Sequence, residues 1–395
     1  MQITITTDLN NNANLIRSEA VSNGRKLRHF FGDPLVNDDS SFKHGNEMIL
    51  IPNSTQHYWT WQVRNPINTY NATFYIGDYA HWHDTLHGEK GVLDLDFYPL
   101  KYNMAKAKKH WAVTKDMLRC FEYWMGPYPF YEDGYKLVEA PYLGMEHQSA
   151  VAYGNEYKMG YRGKDRSGTG VGLSFDFIIV HESGHEWFGN NITARDVADN
   201  WLHEGFTSYS ETLFAEWIKG KDSAFAYTTG KWALIKNDRP LIGDYGVHKE
   251  GSGDIYEKGA AVVHMIRLMI NNDSTFRQLL RGLNRDFYHK IVTSKEVEEY
   301  ISRFVGRDLK AFFDVYLRST NIPTLTCTTV VKDRKIHFEW KDANPLFKAP
   351  IAISRDAGKT YKILQSPDEM TYDTYLVRRD LRVKAVGLYK VEEKQ

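Results

Sequence analysis

The spacing of apolar positions changes period twice along the chain. Up to about residue 100, apolar and polar residues alternate or sit in short aromatic and β-branched runs. Examples are "MQITITT" at the start, "YWTWQVR" at 58–64, "NATFYIGDYA" at 71–80 and "GVLDLDFYPL" at 91–100. A period of two sends every second side chain to one face, the mark of half-buried strands. From residue 101 the spacing becomes helical, in "YNMAKAKKHWAVTKDMLRCFEYWMG", until Gly126 and Pro127 stop it. The stretch "YKLVEAPYLGMEHQSAVAYG", 135–154, predicts short strands. A glycine-rich stretch, "GYRGKDRSGTGVGL", then leads into a further helix. It lacks the Gly-Lys-Ser/Thr ending of a phosphate-binding loop and reads as a mobile connection. Helical spacing dominates to about residue 318, as in "KGAAVVHMIRLMI" and "DLKAFFDVYLR". After Pro323 strand-like pattern returns, in "TLTCTTVV", "KIHFEW" and "TYLVRRDLRVKAVGLYKV". The order β, mostly α, then β predicts an α+β multidomain chain of three units, 1–100, 101–320 and 321–395, rather than one alternating α/β sheet.

Composition narrows the function. Lys+Arg and Asp+Glu both number 50, so the net charge is zero before histidine is counted. That balance gives no electrostatic reason to expect nucleic acid or an anionic membrane as a partner. The basic run "KAKKH", 106–110, reads as the wet face of a helix. The two cysteines, Cys120 and Cys327, carry no argument for a bridge. No run of eighteen apolar residues exists, so no membrane span is expected. No signal peptide pattern is present, and the alternation begins at the first residue, as if a sheet were entered partway. The expectation is a fragment of a longer gene product.

The chemistry starts at "VHESGHEWFGN", 180–190. On a helix each residue turns about 100°, so His181 and His185 project about 40° apart and about 6 Å apart along the axis. Two imidazoles so placed can grip one Zn²⁺. Glu182 overlooks the same face, where a base acting on an activated water belongs. The bland alternative is a helix that merely contains histidines. A catalytic zinc needs a third protein ligand and an open position. Glu204, nineteen residues past His185 in "NWLHEGFTSYSE", lies on a new segment of helical pattern that could present it to the same ion.

The segment "HESGHEWFGN", with eighteen residues between its His185 and Glu204 in "WLHEGF", resembles the M1 family of zinc aminopeptidases, gluzincins with a thermolysin-like catalytic domain. Two further stretches fit in order. "YLGMEHQ", 142–148, is similar to the family's Gly-x-Met-Glu-Asn motif, and "IYEKGAAVV", 255–263, to its Tyr-x-x-Gly-Ala segment. The likeness covers roughly 100–320. The flanking parts suit the family's first β domain, here partial, and a C-terminal β-sandwich-like domain.

The resemblance implies one zinc ion held by His181, His185 and Glu204, with Glu182 as general base. It makes Tyr256 the donor to the developing oxyanion and Glu146 the carboxylate that holds the substrate's free α-amine. Gly144 and Met145 would line the path by backbone contact. Peptides with a free N-terminus are the implied substrates. The sequence departs from the family at Leu143 (a glycine there), His147 (asparagine), Glu186 (glutamine) and His203 (asparagine). A second amine-binding Gln or Glu comes, in the family, from upstream of this sequence's first residue. Glu211, seven after Glu204, and Ser208 are candidates to orient the imidazoles. His81 and His83, on one strand face with His87 nearby, form a rival metal cluster. Three other functions share the motifs: a thermolysin-like endopeptidase, an epoxide hydrolase, and a zinc-containing peptide-binding module with little turnover.

Overall fold

The computed structural model describes residues 1–8, 18–31, 56–330, 335–365, 369–371 and 381–394. Mixed helices and sheets divide into two compact units. The first comprises 1–165 and 172–191, the second 166–171 and 192–395.

In the first unit the predicted alternation becomes an antiparallel sheet with strand Gln56–Gln62 between Gln2–Asp8 and Arg25–Phe31. Ile5 pairs with Trp59 and Ile3 with Trp61. Trp59 and Trp61 therefore face one way, and both are buried with Ile5, Ala20, Val21 and Tyr75. Strands Glu19–Ser22 and Phe74–Gly77 form a second antiparallel pair. A five-stranded mixed sheet follows, in the order Trp82–Gly88, Gly91–Tyr98, Tyr135–Glu139, Val151–Tyr153 and Gly144–Met145. Its three central strands run parallel, and both edges are antiparallel. Buried strands of this kind read as continuous apolar runs, not alternation. Tyr135, Leu137, Val138, Val151, Ala152 and Tyr153 are all buried. The pairing runs across residue 100, joining strands that lie on either side of the change in period. The single long helix predicted from 101 is broken into helices Met104–His110 and Thr114–Met125, joined by a 3-10 turn at Trp111–Val113. Helix Phe177–Gly184 closes this unit.

The second unit contains helices Trp201–Lys219, Lys221–Lys231, Glu257–Ile270, Asp273–Asp286, Ser294–Val305 and Lys310–Arg318. Thr293 starts one of them with a reciprocal capping box to Glu296. After Pro323 come a four-stranded sheet and a three-stranded sheet. The rings of Trp340, Phe347, Tyr316 and Phe312 pack together, so the last helix shares a core with the β segment.

Candidate active site

Helix Phe177–Gly184 is buried along all eight residues. Asp176 caps it, accepting from the backbone N–H groups of Ile178 (2.9 Å) and Ile179 (3.3 Å). The same carboxylate meets His110 Nε2 at 2.7 Å and accepts from Tyr153 Oη at 2.8 Å and Asn155 Nδ2 at 3.0 Å. The N-terminal end of the helix is thus anchored by a fully partnered buried acid.

The other end carries the histidines. The α-helix stops at Gly184, and His185 is its C-cap with φ −62° and ψ −19°. Helical dihedrals persist there, so the i,i+4 relationship with His181 survives the end of the helix. The rings stand edge to face, centroids 5.0 Å apart at 84°. Phe177, one turn earlier, stacks on His181 at 5.2 Å. His185 Nδ1 lies 3.0 Å from the Phe188 carbonyl. A carbonyl only accepts, so this contact assigns the proton to Nδ1 and makes Nε2 the ring's acceptor nitrogen. Two buried imidazoles, one with its tautomer set by a backbone acceptor, suit zinc. Gly189 makes the turn after the helix at φ +134°, where a Cβ would sit 3.2 Å from His185 Nδ1.

Glu182 lies beside the edge strand Gly144–Met145. A Cβ on Gly144 would be 2.7 Å from Glu182 Oε1 and 2.7 Å from Ile178 Cγ2. The missing side chain lets strand and helix touch. Glu146, Glu182 and His185 each offer a ligand atom, all within 4.8 Å of one another. The 146–149 loop that carries Glu146 is held by residues the sequence did not single out for this task. The Glu146 carbonyl accepts from Asn190 Nδ2 at 2.8 Å, and Ser149 N donates to Glu186 Oε1 at 2.8 Å. Glu186 also accepts from Tyr128 Oη at 3.2 Å, and burial pushes its carboxyl up to about 8. His147 has its imidazole pKa lowered by burial.

Glu204 and Tyr256 belong to the second unit. Glu204 is buried in the first turn of helix Trp201–Lys219. Tyr256 is the N-cap of helix Glu257–Ile270 and is exposed. The two helices touch backbone to backbone at Gly205 and Gly259. Glu204 immediately precedes the first glycine and Tyr256 stands three before the second, so both belong to one crossing. His203 Nε2 accepts from Ala194 N at 2.7 Å. Glu211 is buried and accepts from Tyr227 Oη (2.5 Å) and Lys231 Nζ (2.7 Å). Ser208 is buried.

The rival histidines do have acidic company, from the neighbouring strand. His81 Nε2 is 2.7 Å and His83 Nδ1 3.2 Å from the same oxygen of Asp96. Both histidines are about half exposed. A carboxylate shared between two solvated rings is a hydrogen-bonded arrangement at the surface.

Residues 110–316 match the Peptidase family M1 domain. Aminopeptidase N of Lactococcus lactis subsp. lactis is 23% identical over 328 residues, covering 74% of this chain and 36% of that protein. The chain therefore spans about a third of this curated relative's length. The crystal structure of Legionella pneumophila aminopeptidase A in complex with aspartic acid superposes with TM-score 0.74 at 18% identity, covering all of this chain and 45% of the other. A mutant M1 zinc metallopeptidase from Deinococcus radiodurans, bound to a Tyr-Ser-Ala substrate, gives TM-score 0.60 at 20% identity over 81% of this chain and 64% of that one.

Proposed function

The chain belongs to peptidase family M1, and on that premise we propose that it is a zinc-dependent aminopeptidase that removes single residues from peptide N-termini. The observation that carries the proposal lies within the first unit: the carboxylates of Glu146 and Glu182 and the imidazole of His185 converge within 4.8 Å. An acid beside a metal-ligating histidine supports hydrolysis. A further acid at that distance supports recognition of a cation next to the scissile bond. The cation on offer at a peptide's end is its α-ammonium.

In this reading His181, His185 and Glu204 hold one zinc ion. The paired rings and the Nδ1 contact of His185 support the two imidazole positions. Zinc, when bound there, supplies Lewis-acid activation of water and of the substrate carbonyl. The chain's own groups do the rest. Glu182 accepts a proton from the attacking water and passes it to the departing amine. Tyr256 donates its phenolic hydrogen to the carbonyl oxygen as charge grows there. Glu146 receives the α-ammonium, and Gly144 and Met145, on the edge strand, offer backbone groups to the substrate. In the same reading residues 1–100 form a β domain, 101–320 a thermolysin-like catalytic part and 321–395 a β-sandwich-like part. Among the described residues no helix is long and apolar enough to cross a membrane.

The relative and the two structural neighbours above are named as peptidases, which supports peptides as substrates over an epoxide. The test is turnover of an aminoacyl anilide alongside an N-acetylated peptide, with Glu182→Gln as the control. We expect anilide cleavage only, and a loss of about 10²–10⁴ in kcat in the variant with zinc still bound. Cleavage of the blocked peptide alone makes the enzyme an endopeptidase, and full activity in Glu182→Gln removes the assigned base.

A further inference from the structure

The loop 146–149 begins at the edge strand and must turn back into strand Val151–Tyr153. Ser149 does so at φ +56°, in the left-handed region. Loops that turn so sharply stay put only when their polar groups are tied down. Here Ser149 Oγ accepts from Gly24 N at 3.0 Å, the Gln148 carbonyl accepts from Asn23 Nδ2 at 2.6 Å, and Gln148 Nε2 donates to the Pro66 carbonyl at 2.8 Å. The backbone of Glu146 itself is held by Asn190.

Asn190 is five residues past His185 and buried. Its Nδ2 donates to the Glu146 carbonyl at 2.8 Å and lies 3.3 Å from Glu186 Oε2. Its Oδ1 accepts from Asn71 Nδ2 at 2.6 Å. The two acceptors, a carbonyl and a carboxylate, decide which way the amide faces, since only its NH₂ can donate to them. Rotating Asn190 by 180° would set its NH₂ against the NH₂ of Asn71 and its oxygen against the Glu146 carbonyl. Asn71, fully buried and 119 positions away in sequence, donates to the amide oxygen on the other side and so braces the group with which Asn190 grips the loop.

We propose that Asn190, braced by Asn71, is a positioning residue that holds Glu146 at a set distance from His185. The inference rests on Glu146 as the amine-binding carboxylate and explains how selection for one N-terminal residue is enforced. The gap between the amine carboxylate and the metal-binding histidine measures the substrate. Both ends of that gap are fastened to the same short stretch of chain, 185–190. A loop free to shift would bind the ammonium at several distances and lose the selection.

The test compares Asn190→Ala and Asn71→Ala with the parent, using leucine 4-nitroanilide turnover, zinc content, and amide hydrogen exchange of the 144–151 segment. Asn190→Ala should raise KM about tenfold, the loss of one oriented hydrogen bond, with kcat changed by less than about threefold. Zinc content should match the parent and exchange across 144–151 should quicken. Asn71→Ala should move KM and exchange in the same direction by a smaller factor, and it carries the test if Asn190→Ala does not fold. An unchanged KM in both variants overturns the proposal. So does zinc loss in proportion to lost activity, which would mean a structural role at the helix end. If the parent does not cleave the anilide, the aminopeptidase reading fails by itself. The clamp is then judged by exchange, and unchanged protection of 144–151 in both variants overturns it.

Discussion

Gly205 and Gly259 meet with nothing between them: a Cβ on Gly259 would stand 2.8 Å from Gly205 Cα, and one on Gly205 would stand 3.0 Å from Gly259 Cα. Gly205 is the fifth residue of its helix and Gly259 the third of its own, and glycine within a helix is normally worse than alanine by up to about 0.5–1 kcal/mol. An unstrained Gly→Ala change would therefore stabilise. Here the obstacle is backbone, which cannot swing aside, so Gly259→Ala should destabilise by about 1–3 kcal/mol. Urea unfolding measures it, and a gain in stability would mean the helices are not in contact. Since Glu204 and Tyr256 flank this crossing, the variant should also lose activity beyond what its folded fraction explains.

Acid should weaken the second unit through His264. Burial, followed by the charges of Arg267 and Lys221, lowers its pKa from 6.5 to about 3. Nδ1 is 3.1 Å from Tyr209 Oη, and Phe225 packs edge-on at 4.9 Å. Between those two values the unfolded chain binds a proton that the folded chain refuses, so stability falls as pH falls below 6.5. The limit for one such group is about 1.4 kcal/mol per pH unit. His264→Gln should flatten the fall in urea midpoint between pH 7 and pH 5, whatever it does to stability at pH 7. An unchanged slope would locate the acid sensitivity elsewhere.

The Lys231–Glu211 pair is nearly solvent-free, at 4% and 0% side-chain exposure, with 2.7 Å between charges. Removing one member of such a pair strands the other. Lys231→Met should cost about 3–5 kcal/mol, and the double variant Lys231→Met/Glu211→Gln considerably less, because no buried charge remains. Equal losses in the single and double variants would show that the ion pair is not what the site depends on.

Much of the candidate site was legible because local geometry generates it. Four-residue spacing alone put the His181 and His185 rings on one face, and it still does so although the helix ends between them. The change of period near residue 101 marked real helices, but the break at Trp111–Val113 was invisible, since a 3-10 turn keeps apolar residues near helical spacing. Partner choice was not legible either. Nothing in "YKLVEA" says that it pairs in parallel with 95–98 across the change in period. The grip of Asn190 on Glu146 was hidden for the same reason, as it joins residues 44 positions apart and the amide that braces it comes from residue 71. Glycines were ambiguous in another way. Gly144, Gly205 and Gly259 look in sequence like motif letters or helix weak points, and only the structure shows them as places where another element presses close.

Gly144 supports the sharpest prediction about catalysis. It stands at the variable position of the Gly-x-Met-Glu-Asn pattern, and a Cβ added here would meet Glu182 Oε1 at 2.7 Å and Glu182 Cγ at 3.0 Å. Glu182 is a flexible side chain whose carboxylate can be displaced, but Ile178 Cγ2 stands equally close, at 2.7 Å, and its stiff β-branched side chain must shift as well. Gly144→Ala should therefore destabilise by about 1–3 kcal/mol, so activity is compared per folded protein. If Glu182 is the base, as proposed, moving it by a few tenths of an ångström to an ångström spoils its alignment for proton transfer, and kcat should fall by about tenfold or more. Zinc content should match the parent, because neither histidine is touched. Steady-state kinetics with metal analysis checks this. Undiminished kcat would mean that Glu182 has room to spare, and that the close fit of strand to helix serves packing alone.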